Sequence, residues 1–159
     1  MGRGIDQRPI LIHISLRFTG PAPGSYFCQM NKRIRTTFLL LTLTQGLHSV
    51  EETFGKLWDV YPPAIYLSGL VSTDLKTGFI IINVTLFAVL MLTWVSSFSK
   101  SFSVRGLLWF WTVMETINGI GHSIWAIIEG SYVPGLATAP ILLFLAFWLA
   151  RILLKTPAA

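Results

Sequence analysis

Three residues with acid–base and metal-binding side chains, His48, Glu51 and Glu52, lie within the short segment HSVEE. At the spacing i, i+3 and i+4, an α-helix places both carboxylates beside the imidazole on one face. Neutral imidazole nitrogens and carboxylate oxygens are ligands that zinc and iron accept. The segment therefore predicts part of a divalent metal site, and Gln45 extends its polar stripe toward the N-terminus.

A second polar stripe follows on a later hydrophobic segment. Glu115, Asn118 and His122 have the spacing i, i+3 and i+7, which places them on one side of a helix. At a rise of ~1.5 Å per residue, this stripe and the one that ends at Glu52 lie at matching depths when each helix is counted from its basic end. Asn83, on the segment between them, falls at the same depth. We therefore expect the two stripes to face each other.

The two stripes together predict a set of metal ligands. The expected ligands of a zinc or iron ion are His48, Glu51, Glu52 and His122. Their spacing matches neither the HExxH motif of zinc proteases nor the ExxH pairs of di-iron bundles, so the pattern alone does not specify the metal. Glu115 has no place among these ligands, and we expect it to transfer protons.

Each of these side chains also has a purely structural interpretation. Glu51 and Glu52 could lie beyond the end of their helix in water, where carboxylates keep their hydration. His48 and His122 could serve only as hydrogen-bonding groups between helices. Glu115 could be a protonated acid that bonds to the backbone. The sequence leaves these alternatives open.

Four hydrophobic segments have the length of a membrane-spanning helix, which needs ~20 residues. They cover residues 36–54, 78–98, 106–128 and 136–154. Between the first two, Pro62 and Pro63 prevent one helix from continuing, and the surrounding aromatic residues suit an interfacial loop with a short helix. The sequence therefore predicts an all-α fold, a four-helix transmembrane bundle, with membrane lipids as partners.

Composition and charge agree with a membrane protein. The chain is 53% hydrophobic and 12% charged, whereas soluble domains are about 25% charged. Its net charge is +5, but the basic residues stand at the ends of apolar segments rather than in one patch, so we expect no nucleic-acid partner. Counted from Met30, one side of the predicted bundle holds Lys32, Arg33, Arg35, Lys100, Arg105, Arg151 and Lys155. Because only Lys56 and Lys76 fall on the other side, the pattern predicts a multi-pass protein with both termini cytoplasmic.

The first 29 residues contain neither a spanning segment nor the pattern of a signal peptide, so we expect a loose extension. The residues MNKRIRTTFLLL that follow are basic and then apolar, which is typical of the start of a membrane protein with a cytoplasmic N-terminus. This favours Met30 as the natural start, with residues 1–29 not native and a domain over 30–155. The only cysteine, Cys28, excludes an intrachain disulfide.

The HSVEE segment, the later histidine in NGIGH and the turn from Tyr132 through Pro134 to Gly135 together resemble the HXXEE family of bacterial integral membrane proteins. That family is defined by an HxxEE motif, a further histidine and a YxPG turn, and its function is unknown. The resemblance covers roughly residues 30–155. It implies an inner-membrane location and that these motif residues matter, and it implies no substrate.

Three functions of different classes remain open, including whether the protein is an enzyme. The first is a metal-dependent enzyme that acts on a lipid-like substrate near the non-cytoplasmic face. The second is a small proton- or cation-coupled transporter, which with four helices would require a homo-oligomer. The third is a non-catalytic interaction subunit whose polar residues only specify helix pairing.

Overall fold

The computed structural model describes residues 31–98 and 103–156, and every regular element within these ranges is an α-helix. The helices are α1 (Lys32–Phe54), α2 (Leu57–Val60), α3 (Pro62–Val71), α4 (Leu75–Ser96), α5 (Ser103–Glu129) and α6 (Ala139–Lys155). The predicted N-terminal extension, the proposed start at Met30 and the basic residue Lys100 lie outside the described residues.

The four predicted hydrophobic segments correspond to α1, α4, α5 and α6. The helix α4 begins before the predicted residue because the Asp74 side chain accepts a hydrogen bond from the Thr77 backbone N–H at 3.1 Å. The helix α6 begins later than predicted because the chain turns up to Thr138, its N-cap. The short helix expected between the first two segments is present as α2 and α3, and α3 begins at Pro62.

The long helices pack around one apolar core. The helix α6 packs against both α5 and α1, and α1 packs against α4, whereas α4 and α5 contact each other much less. The core residues come from all four long helices and are Ile34, Phe38, Leu41, Leu90, Val104, Leu108, Trp111, Leu142, Ala146, Leu149 and Leu153. This arrangement fixes the relative positions of the polar faces of α1 and α5.

The short helices α2 and α3 are held against α4 by a second apolar cluster that includes Leu57, Trp58 and Phe79. The helices α3 and α4 approach closely at Gly78, where a Cβ atom would overlap the carbonyl group of Ser68. The α2–α3 segment therefore forms a wall beside α4, at the end of the bundle that carries the HSVEE segment.

One helix in the described part of the chain, α4, is long and apolar enough to cross a membrane. The expected fold is thus confirmed as all-helical, while four spans are not established by helix length and apolarity. The helices α1 and α5 carry the polar residues of the candidate site, which lower their apolar character, and α6 has 17 residues. By itself, one apolar helix is weak evidence for a membrane location.

Candidate metal centre

The two polar stripes meet where α1 and α5 face each other. The Oε1 atom of Glu52 lies 3.3 Å from His48 Nε2 and 3.1 Å from His122 Nε2. One ligand atom from each of these three buried residues lies within 4.8 Å of the others. The two imidazole rings meet edge to face, with centroids 4.7 Å apart. The prediction that His48, Glu52 and His122 converge is therefore confirmed, and we refer to these three residues as the ligand group.

The hydrogen-bonding role of His48 Nδ1 follows from its neighbours. Its Nδ1 atom lies 2.7 Å from the Thr138 hydroxyl, which is also 2.6 Å from Glu51 Oε2. A hydroxyl group has one hydrogen, and an ionised carboxylate oxygen can only accept, so Thr138 donates to Glu51 and accepts a hydrogen bond from Nδ1–H of His48. In the neutral imidazole, the other ring nitrogen, Nε2, then carries its lone pair toward Glu52.

This arrangement leaves two electron-rich atoms close together inside the protein. The Nε2 atom of His48 is buried and makes no hydrogen bond, although Glu52 Oε1 is 3.3 Å away. A lone pair and a carboxylate oxygen at this distance repel each other unless a proton or a metal ion lies between them. Two imidazole nitrogens and one carboxylate form a ligand set that suits zinc or Fe(II) and leaves coordination positions open.

The fourth expected ligand, Glu51, lies outside this group. Both of its oxygens accept hydrogen bonds from the segment between α5 and α6 and from the start of α6. The donors are the Tyr132 hydroxyl at 2.6 Å, the Ala137 N–H at 2.9 Å, and the N–H and hydroxyl of Thr138 at 3.0 and 2.6 Å. Neighbouring residues of a helix point in different directions, and here Glu51 turns toward Thr138 while Glu52 turns toward the two imidazoles. Four donors satisfy the carboxylate and favour its ionised form.

The YxPG turn covers the ligand group. Gly135 has a φ of +91°, and a Cβ atom there would lie 2.7 Å from His48 Cε1 and 2.8 Å from His122 Nδ1. Pro134 packs against Gly55, where a Cβ atom would lie 2.5 Å from the proline ring. The hydrogen bond to Glu51 raises the pKa of Tyr132 to about 12. The turn is thus joined to the HSVEE segment by both packing and hydrogen bonds.

Glu115, the residue expected to transfer protons, lines a cavity of about 390 Å³ that is also lined by Glu52 and His122. Its side chain is buried, and its Oε2 atom has no hydrogen-bond partner. The Asn118 side chain contacts the Glu115 carboxyl group, and its Nδ2 atom lies 3.4 Å from Gln45 Oε1. The Glu115 side chain therefore lines the same cavity as Glu52 and His122, but Glu115 is not part of the ligand group.

The supporting residue Asn83 joins this network from α4. The Ser49 hydroxyl donates to Asn83 Oδ1 at 2.7 Å, and Gln45 Nε2 lies 3.4 Å from Ser49 Oγ. The structure thus brings together all the supporting residues expected around the site on α1, α4 and α5. Sequence reasoning missed Ser49 and Thr138. One sequence signal could have indicated Thr138: it is a threonine that follows a glycine turn and precedes an apolar segment, a position where helix N-caps are common.

A family model described as "Protein of unknown function with HXXEE motif" matches residues 38–149 of the chain. The matched part contains the complete candidate metal centre and the YxPG turn. No curated protein and no solved structure matches the chain.

Proposed function

The chain belongs to the HXXEE family, whose function is unknown, and we propose that it is a metal-dependent membrane enzyme with His48, Glu52 and His122 as ligands of a zinc or iron ion. The observation that carries this proposal is the burial of three ligand atoms within 4.8 Å of one another. Among the described residues, no Lys or Arg lines the cavity beside these three ligands. A metal ion would relieve the repulsion between His48 Nε2 and Glu52 Oε1.

A metal held by three protein ligands supplies a Lewis acid with a free position for water or a substrate oxygen. The residues of the chain would orient that centre. Glu51 and Thr138 fix the Nδ1–H form of His48, which leaves Nε2 free to bind metal. Hydrogen bonds of this kind orient metal-bound histidines in many proteins. Glu51 would act as a positioning residue, in place of the ligand role that its sequence position suggested.

The predicted proton transfer by Glu115 stays part of this proposal, with one constraint from geometry. Glu115 and His122 are seven residues apart on α5, or ~10 Å along the helix axis. A direct proton donor must lie within hydrogen-bond reach of the reacting atom, or one water away. Water in the cavity or a group of the substrate would therefore have to connect Glu115 with the metal.

We further propose that the protein is a multi-pass inner-membrane protein with both termini cytoplasmic and lipids as neighbours. Only 22% of the apolar window of α4 is buried inside the protein, which is unlike the core helix of a soluble domain. Large apolar side chains on the other long helices are also exposed, including Leu47, Ile117 and Phe144. Such an apolar exterior suits lipid, and a lipid-like substrate could reach the cavity from it.

A proton- or cation-coupled transporter is the second candidate. The buried Glu115, in the same cavity as two histidines and Glu52, is the kind of intramembrane acid that occurs in proton relays. In this case the site would bind its cation in transit, and four helices would require a homo-oligomer for a full pathway. Cation flux into proteoliposomes with purified protein would favour this candidate over an enzyme.

The deciding experiment is elemental analysis of the protein purified in detergent. We expect about one zinc or iron ion per chain in the wild type, and loss of that ion in His48→Ala, Glu52→Gln and His122→Ala. Glu129→Gln is the matched control, since it neutralises an exposed acid outside the ligand group. Wild-type protein without bound metal after equilibration with either ion would overturn the metal proposal. It would leave a non-catalytic interaction subunit as the remaining alternative if flux is also absent.

A further inference from the structure

The cavity beside the ligand group is elongated. It is lined by α5 residues from Trp111 to Trp125, a stretch of ~21 Å along the helix axis. The opposite wall comes from α3 and α4, and α4 has few contacts with α5. A volume of about 390 Å³ is within the range of sites for small ligands. Glu52 and His122 therefore lie near one end of this stretch.

The two walls of the cavity differ in polarity. The α3–α4 wall is mainly apolar and includes Leu67, Phe79 and Leu86, and its polar side chains are Ser68 and Asn83. The facing wall carries Glu115 and Asn118 along α5, in line with His122. A molecule that fits this space must have an apolar side and polar groups on the other side.

Glu115 sets a specific demand on such a molecule. The residue is 3% exposed, and its Oε2 atom has no hydrogen-bond partner. A buried carboxyl oxygen without a partner is costly, and no Lys or Arg lines the cavity among the described residues. The amide of Asn118 contacts the same carboxyl group without satisfying Oε2. The missing donor can come from a bound molecule.

Building on the proposed metal site, we propose that the cavity binds an elongated amphipathic substrate with two polar groups. One group is an oxygen function that reaches the metal, and the other is a hydroxyl or amino group that donates a hydrogen bond to Glu115. The two are separated by ~10 Å, the axial distance between Glu115 and His122, and by an apolar chain that lies against α3 and α4. Glu115 thus selects substrates by the polar group at the end of the chain that lies away from the metal.

Binding of alkyl hydroxamates to the zinc-loaded protein tests this inference, because the hydroxamate group chelates zinc. Two series of increasing chain length are compared by calorimetry, one with a terminal hydroxyl group and one without it. We expect the hydroxyl series to bind roughly tenfold tighter at one optimal length, since a hydrogen bond to a charged or buried acceptor is of that strength. Equal affinities at every length, or no optimum, would overturn the proposal.

Variants of Glu115 identify the acceptor. We expect Glu115→Leu to abolish the advantage of the terminal hydroxyl group and Glu115→Gln to retain part of it, because the amide oxygen still accepts. Asp59→Leu, at an exposed acid outside the cavity, should behave as wild type. The zinc content of each variant is measured first, so that a folding defect is separated from a lost contact. A hydroxyl preference that persists in zinc-loaded Glu115→Leu would contradict the assignment.

Metal-free protein separates this inference from the metal proposal. Long-chain amino alcohols carry donor groups and bind zinc weakly, so they probe the Glu115 end of the cavity alone. Binding that is lost in Glu115→Leu supports the cavity proposal even if the protein holds no zinc. Stoichiometric zinc without such binding, and without a hydroxyl preference in the hydroxamate series, supports the metal site and overturns the substrate class.

Discussion

His48 Nδ1 lies 2.7 Å from the Thr138 hydroxyl, a contact that joins residues 90 positions apart in the chain. Because Thr138 gives its hydrogen to Glu51, this contact determines which nitrogen of His48 is free. The HxxEE motif and the start of α6 are therefore joined by hydrogen bonds through Thr138. The first glutamate of the motif orients the histidine, and the second glutamate shares the ligand group with it.

Replacing Thr138 by valine removes the acceptor for His48 Nδ1–H while keeping the shape of the side chain. We expect the affinity for zinc to fall by about 10- to 100-fold, which is typical when the hydrogen-bonding partner of a metal-bound histidine is lost. Thr138→Ser keeps the hydroxyl and should bind zinc nearly as wild type. Competition with a chromogenic chelator measures both affinities, and equal losses in the two variants would contradict the orienting role.

The two neighbouring glutamates should differ in effect. Glu52→Gln removes a ligand and should abolish stoichiometric zinc binding. Glu51→Gln keeps the ligand group, and we expect it to retain zinc with an affinity lowered by about 10- to 100-fold. Titration of the metal-free proteins with zinc measures this difference. If Glu51→Gln lost all zinc while Glu52→Gln kept it, the assignment of the two roles would be wrong.

Gly135 is the turn residue with least tolerance for a side chain. Its φ of +91° disfavours other residues, and a Cβ atom there would collide with both imidazole rings. We expect Gly135→Ala to destabilise the protein by about 1 to 3 kcal/mol and to displace the ligand group. Gly106→Ala is the matched control, because nothing lies within 4 Å of its Cβ position. Thermal unfolding with and without zinc compares them, and equal melting temperatures would contradict the proposed collision.

Tyr132 should make the stability of the folded protein depend on pH in the alkaline range. Its pKa is raised to about 12 by the hydrogen bond to Glu51 and lies above the ordinary value of 10. A group that holds its proton more tightly when folded adds stability below pH 10, and that stability disappears as the pH rises through 12. We expect one tyrosine to titrate late in tyrosinate absorbance, and Tyr132→Phe to remove that late step. A late step that survives in Tyr132→Phe would assign it to another tyrosine.

The proposed topology can be tested by labelling single cysteines. With Cys28 replaced by serine, a cysteine at Lys56 should react with an impermeant maleimide in intact cells, and a cysteine at Arg151 should react only after permeabilisation. Both proteins should stay with the membrane during alkaline carbonate extraction. Release of the protein by carbonate, or equal labelling of both sites, would contradict the multi-pass arrangement.

Much of the fold could be read from local sequence, because helix position depends on apolar periodicity and on caps within a few residues. The segments of α1, α4, α5 and α6 and a short helix between the first two follow from such signals. Depth along a helix is also a local quantity, since it is a count of residues from the basic end. This is why the meeting of His48, Glu52 and His122 could be predicted.

The tertiary structure decided what each polar residue contacts. Glu51 and Glu52 are adjacent residues of the same type, so the sequence does not distinguish them. The packing of α6 against α1 brings Thr138 to Glu51, while Glu52 contacts the two imidazoles. Gly135 likewise has a role because its backbone lies against two rings from different helices. These contacts join distant parts of the chain, and their geometry depends on how helices turn about their axes, which residue spacing does not specify.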